Sequence, residues 1–181
     1  MNRSKIKKLT TMGILIAISI IFILVLRVPF PPAPFLVYEP GDVPILLGGF
    51  IYGPLAGIVM TVVVSAIQAL TVSGDGWIGC IMHVFATSAL VGIAALVYKK
   101  HKTIKRAIIG LICGSIAMAA IMIPMNLIFY PLFANTPVDA VAKLIIPALL
   151  PFNLLKAGIN SIITLLVYKS IGKFLNRITE N

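Results

Sequence analysis

The run Val43-Pro-Ile-Leu-Leu-Gly-Gly-Phe-Ile-Tyr-Gly-Pro-Leu-Ala-Gly-Ile-Val-Met-Thr-Val-Val-Val-Ser-Ala-Ile-Gln-Ala-Leu-Thr-Val72 decides how often this chain crosses a bilayer. Read as one helix, it gives an odd number of spans between the basic N-terminus Arg3–Lys8 and the basic cluster Lys99–Arg106. Lys and Arg mark cytoplasmic loops, so two such clusters require an even number between them. The conflict disappears if the chain reverses at Tyr52-Gly53-Pro54, where glycine permits a tight turn and proline opens the next helix. The first half is then a helix of only about 15 Å against a hydrocarbon core of about 30 Å. It must start earlier than it looks, tilt, or lie in a thinned or protein-lined region.

The rest of the chain fits that reading. Of its 181 residues, 60% are hydrophobic and 11% charged, and the mean hydropathy is +1.08. A soluble domain of this size cannot hide so much apolar surface, so the solvent is lipid. Further apolar runs are Leu9–Leu26, Trp77–Tyr98, Ala107–Phe133 and Leu144–Tyr168. The expected fold is all-α, a single integral-membrane domain over residues 1–181 with six transmembrane helices and both termini cytoplasmic. All Lys and Arg except Arg27, Lys143 and Lys156 then face the cytoplasm, whereas Glu39, Asp42, Asp75 and Asp139 fall outside. The net charge of +10 belongs to these loops and to lipid headgroups, not to nucleic acid. The run Leu9–Leu26 is too long for a signal peptide, and no small-residue cleavage site follows it, so it reads as a retained span.

Lys156 lies inside the last apolar run, where a charged amine costs roughly 2.5–3.5 kcal/mol unless it meets protein, water or ligand. Asn153 and Asn160 share its helical face. At 1.5 Å per residue, Lys156, Asn153, Asn126, His83 and Gln68 all fall in the outer half, and the inner half reads as Leu, Ile, Val, Ala and Gly. A channel needs a polar path across the whole membrane. A pocket open to the outside with a sealed floor needs only this pattern, and it suits a flat molecule with a polar edge. The loop Arg27–Asp42 carries five prolines, is stiff and extended, and offers Tyr38 and Glu39 as a lid. Asp42 is placed as a helix N-cap or, like Glu39, as a structural partner of Lys156. His83 reads as packing or as a ligand contact, and the stripe Met118, Met122, Met125 as packing. Trp77 and Tyr130 read as interfacial anchors.

Cys80 and Cys113 sit in apolar runs and read as small hydrophobes. No nucleotide-binding, metalloprotease or nucleophile-elbow motif is present. Gly13 and Ala17, four residues apart on the first span, permit a second helix to approach closely.

Asp42-Val-Pro-Ile-Leu-Leu-Gly-Gly-Phe-Ile-Tyr-Gly-Pro-Leu-Ala-Gly57, Leu150-Pro-Phe-Asn-Leu-Leu-Lys156 and Ile123-Pro-Met-Asn-Leu127 together resemble the substrate-binding S components of energy-coupling factor vitamin transporters. The riboflavin-specific members are the most similar. The resemblance covers nearly the whole chain and implies a non-enzymatic importer subunit in a prokaryotic plasma membrane. It implies no cofactor, riboflavin as the carried ligand, and an external site beneath the first loop. Asn126, Asn153 and Lys156 match flavin-binding positions, and Tyr38 and its neighbours match the covering loop. Gly13 and Ala17 match the motif that docks on a transmembrane scaffold subunit bearing two ABC ATPases. The candidate site is therefore Tyr38, Glu39, Asp42, Gln68, His83, Asn126, Asn153 and Lys156. Pantothenate or a pyridoxine-like vitamin is the alternative ligand; a solitary facilitator or an intramembrane enzyme is the alternative class.

Overall fold

A computed structural model of the chain describes residues 2–71 and 76–179. Asp75, expected outside, lies beyond the described residues. Helix α1 (Arg3–Val25) leads into a hairpin of β1 (Val28–Phe30) and β2 (Ala33–Tyr38), then α2 (Asp42–Tyr52), α3 (Pro54–Thr71), α4 (Gly76–Lys100) and α5 (Ile104–Ala134). A short α6 (Val138–Leu144) and a π-helical turn (Ile145–Leu149) run into α7 (Leu150–Thr179). Five of these segments are long and apolar enough to span a membrane, the last taken as Val138–Ser170, and α2 is a shorter apolar helix.

The reversal falls at Gly53, whose φ of +92° is costly for any residue with a Cβ, and Pro54 opens α3. Asp42 to Phe50 are buried without interruption, and α2 packs against α1, α3, α4 and α7. The short helix therefore never has to match the bilayer, because its surroundings are protein. Its far end lies near the basic ends of its neighbours: the Tyr52 ring takes Lys8 at 5.7 Å, and Phe50 packs on Tyr98 and Tyr168.

Two expectations are corrected at the start of α2. Asp42 does not cap the helix; Gly41 holds the N-cap position, and no side chain caps it. Nor does Asp42 lie in an exposed external loop, since it is 1% exposed. Its carboxylate accepts from Thr87 Oγ1 at 2.9 Å and Asn160 Nδ2 at 2.9 Å. Thr87 is about 20 Å along α4 from Lys100, which places the carboxylate near mid-depth. The chain between α1 and α2 thus descends into the bundle, and its prolines form a hairpin rather than a surface connector. The pairing Val28 with Tyr38 and Pro29 with Val37 satisfies its backbone there.

Helices α4 and α5 form the closest pair. A Cβ on Gly110 would come within 2.6 Å of Ala94 O, and one on Gly114 within 2.4 Å of Leu90 O, so both positions hold only hydrogen. Thr103 caps α5, and Asn135 ends it in the left-handed conformation at φ 49°. The inner half is less uniformly apolar than its sequence reading. Tyr98 Oη bonds Tyr168 Oη at 2.7 Å, and Ser115 faces Ser161 at 3.3 Å. Thr61 and Thr164 return their hydroxyls to carbonyls of their own helices. Each of these groups is satisfied locally, so they add no polar path.

Candidate functional site

A cavity of about 340 Å³ lies between the hairpin and α3, α4, α5 and α7. Glu39, Gln68, His83, Asn126, Asn153 and Lys156 line it, which brings six of the eight candidate residues together from the hairpin end and four helices. Tyr38 and Asp42 stand behind the wall. Tyr38 Oη donates to Asn160 Oδ1 at 2.9 Å. Burial chiefly, and the nearby Asp42 charge, push the Tyr38 hydroxyl up to about 12, so it keeps its proton and its role as donor.

The two cavity asparagines are built alike. Each follows a proline by two residues, Pro124-Met-Asn126 and Pro151-Phe-Asn153. Each donates its amide nitrogen to the carbonyl four residues before it, Met122 O and Leu149 O, at 2.7 Å. That bond fixes the flip of the amide and leaves each Oδ1 as an acceptor on the cavity side. The π-helical turn just before α7 holds Pro147, and Pro151 follows in its first turn. Such turns add a residue to the helical phase and often accompany functional sites. Beyond it, Phe152, Asn153 and Lys156 face inward together.

Lys156 is 8% exposed, and among the described residues no hydrogen bond or ion pair holds its ammonium. Its three donors are therefore available to a ligand. Glu39, in contrast, is occupied: Arg27 Nε reaches it at 3.1 Å and Gln68 Nε2 at 2.8 Å. Gln68 Oε1 is buried without a partner among the described residues.

His83 is settled by its two nitrogens. Ser65 Oγ lies 2.7 Å from Nδ1, and Asp42 Oδ1 lies 3.2 Å from Nε2. Nε2–H donates to the carboxylate, and Nδ1 shares a hydrogen bond with the Ser65 hydroxyl. Both ring nitrogens are thereby spent. It offers the cavity a ring surface rather than a hydrogen bond.

The sequence reading missed part of the wall. Met118 and Met122, given to packing, line the cavity, as does Tyr130, given to the interface. Met125 is buried elsewhere, and Trp77 is exposed. The available signal was the spacing Met118, Met122, Asn126, Tyr130, four residues apart on one face of α5. Phe35 from the hairpin stacks on Tyr130 with ring centroids 5.1 Å apart, and Phe30 packs on Phe152 at 5.6 Å. The hairpin is thus fastened over α5 and α7 by aromatic contacts.

A helical membrane bundle enclosing a polar-edged, aromatic-walled cavity defines a substrate-binding membrane component. The chain belongs to the family of ECF transporter substrate-specific components, which it matches over residues 7–168. It is 30% identical to the riboflavin transporter RibU of Staphylococcus aureus, across 98% of this chain and 97% of that protein. Against the riboflavin transporter FmnP of Bacillus subtilis it is 27% identical across 96% of each. Its backbone superposes with a TM-score of 0.82 on a solved S component of a bacterial ECF transporter, at 29% identity over 94% of this chain and 98% of that one. The chain is accordingly a multi-pass membrane transport component and not an enzyme.

Proposed function

We propose that this chain binds riboflavin on the outer side of the membrane and delivers it to an ECF import machine. The observation that carries the reading is the donor and acceptor set in the cavity: the Lys156 ammonium beside the Asn126 and Asn153 Oδ1 atoms, within walls of Phe35, Tyr130, Phe152 and methionine. The pyrimidine edge of a flavin alternates carbonyl acceptors with one N–H donor. Lys156 donates to a carbonyl, and an asparagine oxygen accepts the N–H. The aromatic and thioether surfaces take the flat ring system, and Gln68 Oε1 is an acceptor available to a ligand hydroxyl. The volume is near the lower end for sites that enclose a small molecule. The similarity to proteins named as riboflavin transporters points the same way.

Gly13 and Ala17 lie on an exposed stretch of α1, and a Cβ at Gly13 would meet nothing within 4 Å. They form the docking face for the transmembrane scaffold subunit, which carries two ABC ATPases, because small residues permit close helix contact.

Titration of ligand-free purified protein with riboflavin, followed by loss of flavin fluorescence, tests the ligand. One-to-one saturation that pantothenate and pyridoxine do not compete away is the expected result. No saturation, or displacement by either competitor, would overturn riboflavin as the substrate.

A further inference from the structure

Among the described residues, three buried side-chain oxygens have no hydrogen-bond partner: Tyr52 Oη, Ser88 Oγ and Gln68 Oε1. Of these three residues, Gln68 alone lines the cavity. A buried acceptor without a donor is unfavourable, and native structures hold few of them. The other end of that amide is fixed. Its Nε2 donates to Glu39 Oε2 at 2.8 Å, and Arg27 Nε lies 3.1 Å from Glu39 Oε1. A carboxylate paired with a guanidinium only accepts, so the amide nitrogen must face it. Oε1 is thereby turned away from Glu39.

We infer that Gln68 and Glu39 form a second subsite that reads a hydroxylated chain: Gln68 Oε1 accepts from a ligand hydroxyl, and Glu39 is the positioning residue that holds the amide in that orientation. The subsite stands apart from Asn126, Asn153 and Lys156. Gln68 is on α3, which packs on α1, α2 and α4, whereas α5 and α7 pack on each other. A ligand that fills the cavity meets a ring-reading wall on α5 and α7 and a hydroxyl-reading amide on α3. A site built to bond a hydroxyl rejects the analogue without it, because its own acceptor stays unpaired. The pair therefore selects flavins with a polyol side chain over the bare ring system.

The inference rests on the flavin reading, and a matched pair of probes tests it. Riboflavin carries a ribityl chain, and lumiflavin is the same ring system with a methyl group in its place. Both are titrated in detergent against the wild type, Gln68→Met, Gln68→Leu, Glu39→Ala and the double variant Glu39→Ala with Gln68→Met. Size-exclusion profiles confirm folding. The wild type is expected to prefer riboflavin. Both Gln68 variants should cut that preference by roughly five- to fiftyfold, the effect of one lost hydrogen bond to a buried group. Glu39→Ala should cut it as well, since the freed amide can turn its oxygen away. The double variant should show the same preference as Gln68→Met alone, because Glu39 acts on the chain through Gln68.

An equal loss of both flavins in the Gln68 variants, or a preference they leave unchanged, would overturn the subsite and leave the flavin reading standing. Failure of both Gln68 variants to fold would also overturn it, since the amide would then serve the bundle rather than ligand choice. A wild-type preference in Glu39→Ala, or a further fall in the double variant, would overturn the positioning role of Glu39. A wild type that binds neither flavin overturns the functional reading and this inference with it.

Discussion

Lys156 and Asn160 lie one helical turn apart on the same face of α7, yet their surroundings assign them opposite duties. Lys156 is held by nothing within the described residues and faces the cavity, whereas Asn160 is fully buried and bonded to Tyr38 and Asp42. Replacing Lys156 with alanine removes a bond made only to ligand, whereas Asn153→Ala removes one to ligand and the bond to Leu149 O. Riboflavin affinity is expected to fall by about 1–3 kcal/mol in each, with little change in thermal stability for Lys156→Ala. Replacing Asn160 with alanine leaves the Tyr38 hydroxyl and one Asp42 oxygen without their partners. Stability is expected to fall by about 1–3 kcal/mol, with the hairpin loosened as well. Thermal unfolding and fluorescence titration on the same samples separate the two classes. Equal behaviour of Lys156→Ala and Asn160→Ala would refute the division.

At the scale of elements, the glycines sort the helix faces. Gly114 faces the Leu90 carbonyl so closely that a Cβ would intrude to 2.4 Å, but a Cβ on Gly13 meets open space. Gly114→Ala must therefore push α4 and α5 apart, and overpacking of this kind costs about 1–3 kcal/mol. Gly13→Leu and Ala17→Leu should leave the isolated protein folded and able to bind riboflavin. They should nonetheless abolish uptake in cells and co-purification with the scaffold subunit, because a bulky side chain on that face prevents close helix contact. Uptake at the wild-type level in Gly13→Leu would exclude α1 as the docking face. Gly53→Ala is expected to cost about 1–3 kcal/mol by a different route, since φ +92° with ψ 172° is backbone that essentially only glycine adopts.

For the whole molecule, the claim that matters is orientation. The basic clusters at Arg3–Lys8 and Lys99–Arg106 lie at one end of the bundle, and the cavity lies toward the other, against the hairpin. By the positive-inside rule both termini are expected in the cytoplasm and the cavity on the outer side. Single cysteines introduced at Lys100 and Asp139 into a background without Cys80 and Cys113 test this in intact cells. A membrane-impermeant thiol reagent should label position 139 and spare position 100. The reverse pattern would invert the protein and exclude import from the outer face.

The span count was legible in the sequence because it follows from two local rules, the length of apolar runs and the placement of basic residues. The reversal at Gly53-Pro54 followed because an even count demanded it there. Lys156, Asn153 and Asn126 were legible for a related reason: lipid tolerates few polar side chains, so those it contains are informative. The depth of α2 was not legible. Eleven apolar residues look the same whether they cross a thin membrane or stand inside a ring of four helices, and only packing against α1, α3, α4 and α7 decides. The duties of Asp42 and His83 were hidden similarly. Sequence showed an acid beside a proline-rich loop and a histidine in a span, far apart along the chain. Whether each side chain meets ligand or another side chain depends on which helix faces are apposed, and tertiary structure alone sets that. It brings the two within 3.2 Å and turns both of the histidine's nitrogens away from the cavity.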